Sequence, residues 1–557
     1  MPVIRSDHPA DQPAGGRRMN LHIAAARTPV IEHVAIILAR VLRERAGTEV
    51  TESAAATADV ILDVRPGVGA EGFTIAPEGR ASVITGNDPL GLLHGVGRFV
   101  HGGRFGPDGF WAGGWRGASV PQAPVRGLYC AFNFNNWYCS APREDVARYA
   151  EELALWGYNT FFFGMRMVDP RDRAAFELNL EENRRLFAML KRAGLRIGLL
   201  CSPNTGLPRP PAEALAVPVP DTDPPRRGNA GVRVCPSHPA GRAFLRRMLG
   251  LYLDGYEDIG LDYVCSFPYD SGGCACERCW PWGARGFVEL SKDFSRLARG
   301  RYPGCRFILG TWCYDVRETS DGEFEGLDRE IRRGRVWVDY IMADAHEDFP
   351  RYPLEHGVPG GLPLLNFPEI SMWGRFPWGG FGANPLPVRC QRLWNQVKHL
   401  CAGGLPYSEG IFEDINKVLY ARFYWDRDAQ AEDSLRDYIA YEYAPEVTTG
   451  VAEAVRLMEA SYPRASWRCD DVERAYQLIL AADGRLPERA RSSWRWRIVY
   501  LRAVIDHELI TNPGRLHSDR CDEAFEELTH IYHAENTARP DAPPSRRCLG
   551  RLAAQNG

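Results

Sequence analysis

Eight short apolar runs alternate with amphipathic stretches between Arg126 and about Asn416, and this alternation restricts the fold more than any other feature of the chain. The runs are RGLYCAF, NTFFFGM, RIGLLCS, DYVCSF, RFILGTW, VDYIMA, PLLNF and LPYSEG. Between most of them lie segments of helical spacing, such as REDVARYAEELALWG and EENRRLFAMLKRAG. A strand buried on both faces must be apolar at every position, so it reads as a continuous run rather than an alternation. Eight such strands with intervening helices predict an α/β protein built on a (β/α)8 TIM barrel, over residues 121–424. No GxGxxG or P-loop follows any run, which excludes the usual nucleotide-binding sheets.

The flanks read differently. Residues 1–19 are expected to be a disordered lead-in without the apolar core of a secretory signal. Residues 20–120 read as a small α/β domain. NLHIAAA, ADVILDV and ASVITGN are strand-like. VIEHVAIILARVLRERAG is helical and ends at a capping glycine, and DPLGLLHGVGRFVHG is helical with Asp88 at its N-terminus. Residues 425–557 carry charged, amphipathic helical patterns and form the third expected domain, a helical one.

With 67 basic and 71 acidic residues, the net charge of -4 offers no footprint for nucleic acid or an anionic membrane. No run of ~18 apolar residues is present. The 15 cysteines are an odd number and read as reduced thiols of a cytoplasmic protein. The exposed helices of the last domain could support a homodimer.

In a TIM barrel the chemistry sits where strands end. After the first run stand Asn133, Asn135, Asn136 and Trp137; after the second Arg166; after the third Asn204; after the fourth Asp270. After the fifth come Trp312, Tyr314 and Asp315, and after the sixth Asp344, His346 and Asp348. After the seventh come Glu369, Trp373, Arg375 and Trp378, and after the eighth Glu409, Glu413 and Asp414. Carboxylates, amides and tryptophans are what glycoside hydrolysis requires: one acid to protonate the leaving oxygen, one carboxylate to attack or to activate water, and rings and amides to hold the sugar. Asp270 is the first candidate catalytic residue, because Ser271-Gly272-Gly273 lets backbone approach a ligand. Glu369 is the second, with two tryptophans to desolvate it. Asp344 and Asp348 complete the catalytic set, although either could cap a helix. Glu409 is a candidate for binding a sugar hydroxyl. Glu413 and Asp414 could instead open the last barrel helix, where acids suit the dipole. Arg166 and Arg375 have the geometry to bind a uronate carboxylate.

Cys274, Cys276 and Cys279 form a CxCxxC with metal-ligand spacing, which Cys265 or a histidine could complete. A packed knot of reduced thiols is the competing reading, and no cofactor is expected beyond this structural-zinc alternative.

The order of parts resembles a group of glycosidases that includes the xylan-type α-glucuronidases, the β-hexosaminidases and the O-GlcNAcases. EGFTIAPEGRASVITGNDPLGLLHGVGRFVH is similar to the end of the α/β domain that precedes their barrel. YDSGG occupies the place of the α-glucuronidase DSEG segment, and LGTWCYD, HEDFPRYP and FPEISMWG resemble later segments of that family. The resemblance implies acid/base roles for Asp348 and Glu369. It also reveals a departure, because Gly272 stands where that family has its general acid, which moves the expected donor to Asp270. The expected function is therefore cleavage of a glycosidic bond, α-glucuronidase-like or β-N-acetylhexosaminidase-like, on a carbohydrate substrate. The alternatives are a carbohydrate-binding protein without catalysis, or a metal-dependent hydrolase or isomerase built on His346, the acids and the cysteines.

Overall fold

In a computed structural model the chain is described for residues 15–132, 136–219, 232–269, 272–315, 322–334, 337–345, 348–371, 383–461, 469–511 and 518–533. It forms two compact units, the first holding residues up to Pro121, with Glu151–Gly157 and Arg192–Gly194, and the second the remainder.

The first unit contains a six-stranded sheet of β2 (Arg18–Ile23), β3 (Glu49–Glu52), β4 (Val60–Val64), β5 (Phe73–Glu78), β6 (Ala81–Gly86) and β9 (Gly117–Ser119), in the order β3-β2-β4-β6-β5-β9. The first four in that order run parallel, and β5 pairs antiparallel with both β6 and β9. A small second sheet joins β1 (Gly15–Gly16), β7 (Arg104–Gly106) and β8 (Gly109–Trp111). The sheet strands thus begin inside the stretch expected as lead-in, because Met19 and Leu21 bury their side chains. Helix α1 (Pro29–Ala46) opens on Thr28, whose hydroxyl accepts from Ile31 N–H, and closes on Gly47 at φ 62°. Helix α2 (Pro89–His101) is capped by Asp88, whose carboxylate accepts from Gly91 N–H at 2.9 Å.

The second unit is a closed parallel barrel. Its strands are β10 (Val125–Cys130), β11 (Thr160–Gly164), β12 (Arg196–Cys201), β13 (Tyr263–Ser266), β14 (Arg306–Gly310), β15 (Tyr340–Ala345), β16 (Leu364–Pro368) and an eighth in two pieces, β17 (Cys401–Gly404) and β18 (Tyr407–Ser408). Neighbours pair in sequence order and β10 closes the ring against β11 on one side and β17 and β18 on the other. The eighth strand starts earlier than LPYSEG suggests, in CAGG. A Cβ on Gly403 would lie 1.7 Å from the Val125 carbonyl oxygen, and one on Gly404 2.0 Å from Asn366 Oδ1. Closure brings backbones so near at this seam that glycine is needed where the other strands carry apolar residues.

Alternate residues of the strands fill the interior: Val125 and Tyr129, Phe162, Leu200, Tyr263 and Cys265, Ile308, Tyr340 and Met342, Leu365 and Phe367, and Leu405. Each such side chain adds about 1.5–3 kcal/mol by leaving water. The outer layer contains α3 (Trp137–Ser140), α4 (Arg143–Leu155), α5 (Arg173–Arg192), α6 (Pro239–Asp254), α7 (Gly286–Arg301), α8 (Glu323–Arg333), α9 (Arg351–His356), α10 (Pro387–Val397) and α11 (Asp414–Trp425). The helices that follow are α12 (Ala431–Glu442), α13 (Thr448–Ala460), α14 (Cys469–Asp483), α15 (Glu488–Arg491), α16 (Trp494–Thr511) and α17 (Asp519–His533). Helix α16 is buried on most sides, including Arg495, Arg502 and Asp506. Arg502 donates to Asp506 at 2.6 Å and to the Ala383 carbonyl at 2.7 Å, so its buried charge is paired. No described helix is long and apolar enough to cross a membrane.

Candidate functional site

Side chains alternate across a strand, so the inward series can be followed from the core to the mouth. On β15 it runs Tyr340, Met342, Asp344; on β16 and its continuation Leu365, Phe367, Glu369; on β18 and its continuation Tyr407, Glu409. The same two-residue step that builds the hydrophobic interior therefore delivers three acids to the C-terminal end of the barrel. Below them lies an aromatic floor. Phe367 packs against Tyr129, Phe267 and Tyr407 with ring centroids 5.7–5.9 Å apart, and Trp312 stacks on Phe267 at 5.8 Å.

Glu409 is buried, at 1% exposure, and its carboxyl accepts the Tyr407 hydroxyl at 2.7 Å. Burial, reinforced by the nearby charge of Glu369, pushes its pKa up to about 9, so it carries a proton at neutral pH. Its backbone is held by Glu413, which accepts from Glu409 N–H at 2.6 Å and from Ser371 Oγ at 2.9 Å. Lys417 stands 3.2 Å from Glu413 Oε2 and balances its charge. Glu369 is half-buried; it pairs through its backbone with Tyr407 and accepts from Ser371 N–H at 2.6 Å. Ser371 thus touches both acidic segments. Asp344 is also half-buried.

Deeper, Asp414 opens α11 and ties the barrel to the helices after it. It accepts from the hydroxyls of Tyr149 at 2.6 Å and Tyr438 at 2.7 Å and from Arg495 Nε at 2.8 Å. Burial opposes its ionisation, but Arg495, Lys417 and the two hydroxyls overcome this and hold its pKa below the usual carboxylate value.

Other expected site residues have structural partners. Asn136 is buried and donates to the Ala131 carbonyl at 2.6 Å, and Trp137 packs edge-on against Tyr138 and Tyr149. Tyr314 donates to the Gly283 carbonyl, and Asp315 accepts from the N–H groups of Glu323 and Phe324 to cap α8. Asp348 is exposed and paired with Arg392 and Gln396 at the start of the α9 segment and on α10. Arg166 is exposed just beyond β11. Asn133, Asn135, Asp270, His346, Trp373, Arg375 and Trp378 lie outside the described residues. Tyr407, Phe267, Phe367 and Ser371 were not singled out in the sequence; continuing the two-residue step back from Glu369 and Glu409 reaches Phe367 and Tyr407.

The loop after β13 is clamped on both sides of its undescribed pair. Trp282 donates to the Pro268 carbonyl at 2.8 Å, and Tyr269 donates to buried Glu323. Asn204 accepts from Gly273 N–H and returns a bond to its carbonyl. A Cβ on Gly272 would fall 2.5 Å from the Pro268 carbonyl oxygen and 3.0 Å from Asn204 Oδ1. The backbone thus leaves no room for a side chain at Gly272. Gly272→Ala is expected to lower stability by about 1–3 kcal/mol through this overlap, measured as a fall in urea midpoint with unchanged slope.

No family model and no curated protein matches the chain. Solved structures do. A family GH115 4-O-methyl-alpha-glucuronidase with specificity for decorated arabinogalactans superposes with a TM-score of 0.60 at 11% identity, covering 97% of this chain and 80% of that one. The chain has the fold of the barrel glycoside hydrolases. A family 89 glycoside hydrolase from Clostridium perfringens gives a TM-score of 0.62 at 11% identity over 90% of this chain, which spans only 64% of that protein. A GH20 beta-N-acetylhexosaminidase from Streptomyces coelicolor A3(2) gives 0.52 at 15% identity, over 78% and 94% of the two chains.

Proposed function

We propose that the chain is a glycoside hydrolase whose chemistry is carried by carboxylates at the C-terminal mouth of the barrel. The Glu369–Glu409 pair is the observation that carries this reading. Hydrolysis of a glycoside needs one carboxylic acid and one carboxylate. Here two neighbouring acids sit over an aromatic floor, and burial and mutual charge keep a proton on Glu409. Glu369 acts as the carboxylate that attacks the sugar or activates water, and Glu409 is the acid that supplies the proton. Tyr407 and Glu413 position Glu409, Asp344 binds hydroxyls beside them, and the rings of Trp312 and Phe267 stack on the sugar. A uronide is the first substrate class to try, because Arg166 follows β11 at the same end of the barrel, and a guanidinium binds a carboxylate in bidentate fashion. An N-acetylhexosaminide is the second.

The test is hydrolysis of aryl uronides and aryl N-acetylhexosaminides by the wild type, Glu409→Gln and Asp270→Asn across pH. With Glu409 as donor, wild-type turnover falls as pH rises through about 9, where the acid loses its proton. Glu409→Gln then loses about 100-fold in rate and shows no such alkaline limb. An unchanged alkaline limb in Glu409→Gln, with loss of activity in Asp270→Asn, transfers the donor role to Asp270. Tight sugar binding by a wild type that turns nothing over would favour the binding-protein reading.

A further inference from the structure

Four cysteines converge on the segments that follow β12 and β13. The sulfurs of Cys235, Cys274, Cys276 and Cys279 all lie within 4.8 Å of one another. Cys235 Sγ is 3.7 Å from Cys276 Sγ and 3.8 Å from Cys279 Sγ. A tetrahedral zinc bound by four thiolates at about 2.3 Å sets its sulfurs roughly 3.8 Å apart. A disulfide would draw a pair to about 2.05 Å. Cys265, the fourth ligand considered from sequence, is instead part of the barrel interior.

The surroundings offer hydrogen-bond donors and a cation to the sulfurs. Ser237 Oγ stands 3.0 Å from Cys279 Sγ. The backbone N–H groups of Ser237 and Cys276 bond to the sulfurs of Cys235 and Cys274, each two residues back along the chain. That turn repeats at both ligand-bearing segments, and N–H groups aimed at sulfur stabilise negative charge there. Arg233, nearly buried, interacts electrostatically with Cys274 and offsets part of the net charge of a four-thiolate zinc centre.

The scaffold is set by bonds that need no metal. Asn204, fully buried beyond β12, donates to the carbonyls of Val234 at 3.3 Å and Gly273 at 3.1 Å, the residues before Cys235 and Cys274. Cys235 N–H bonds to the Ala214 carbonyl and Ala275 N–H to that of Val217. The loops after β12 and β13 are therefore already held together where the sulfurs meet.

We propose that Cys235, Cys274, Cys276 and Cys279 bind a structural zinc ion that fastens the loop after the fourth barrel strand to the loop after the third. Four thiols release protons on binding, so affinity falls as pH is lowered. The proposal is independent of the hydrolase reading.

The experiment is elemental analysis and zinc-edge X-ray absorption on the full chain purified under reducing conditions, with Cys235→Ser and Cys265→Ala beside the wild type. The expected result is about one zinc per chain in the wild type and in Cys265→Ala, with four sulfur neighbours near ~2.3 Å. Cys235→Ser is expected to release its zinc to a chromogenic chelator at least ~10-fold more readily. A wild type with only traces of zinc, with iron in its place, or with these cysteines found as disulfides by non-reducing peptide mapping would overturn the assignment. If Cys235→Ser does not fold, the sulfur count from absorption on the wild type decides alone.

Discussion

Glu369→Gln should lower turnover of any glycoside the wild type cleaves by about a thousandfold, with little change in KM. The amide preserves size and can still accept the 2.6 Å bond from Ser371 N–H, so the strand end keeps its shape. What it loses is the negative charge that attacks carbon or takes a proton from water. The exchange also removes the charge that helps to hold the proton on Glu409, so the alkaline limb of any residual activity should move to lower pH. The measurement is steady-state kinetics on the best aryl glycoside, with binding of a non-hydrolysed analogue as a control. A variant within ~3-fold of wild type in kcat would remove Glu369 from the chemistry and return attention to Asp344 and Asp270.

The second large effect concerns stability. Asp414→Ala should cost about 3–5 kcal/mol, because it takes the 2.8 Å carboxylate from buried Arg495, leaves the longer 3.8 Å pair to Glu442 and takes the acceptor from Tyr149 and Tyr438. Asp414→Asn keeps the shape and part of the hydrogen bonding, and should cost less. The carboxylate joins α11 of the barrel to α12 and α16, so the loss should appear first as weaker hydrogen-exchange protection in α16. The wild type carries a pH signature of the same group. Its folded pKa lies below the unfolded value, so its contribution is present above about pH 4 and disappears as pH falls through the lower folded pKa. Asp414→Asn should lose less stability than the wild type over that acid range. Equal acid sensitivity in the two proteins would count against the ion pair as its source.

Much of the barrel follows from local chemistry in the sequence. Seven apolar runs match strands because a strand covered on both faces tolerates few polar residues. Asp88 opens α2 with its carboxylate, and Gly47 closes α1 because it takes up a left-handed backbone without a Cβ. The eighth strand is the instructive exception. CAGG has no apolar signature, since the constraint on Gly403 and Gly404 is the approach of Val125 and Asn366 from strands far away in sequence. The acids show the same division. Their positions at strand ends are visible in FPE and YSEG, whereas their separation into a protonated Glu409 and a capping Asp315 or surface-paired Asp348 depends on which groups the fold brings near.

The sequence by itself determined the strand and helix periods, the helix caps and the supply of acids at one end of the barrel, because each of these is a property of a few consecutive residues. Only the tertiary structure decided that Cys235 rather than Cys265 joins Cys274, Cys276 and Cys279, that Gly272 has no room for a side chain, and that the charge of Glu369 acts on buried Glu409. Those outcomes depend on through-space distance, desolvation and charge between segments tens of residues apart, and no local pattern encodes them.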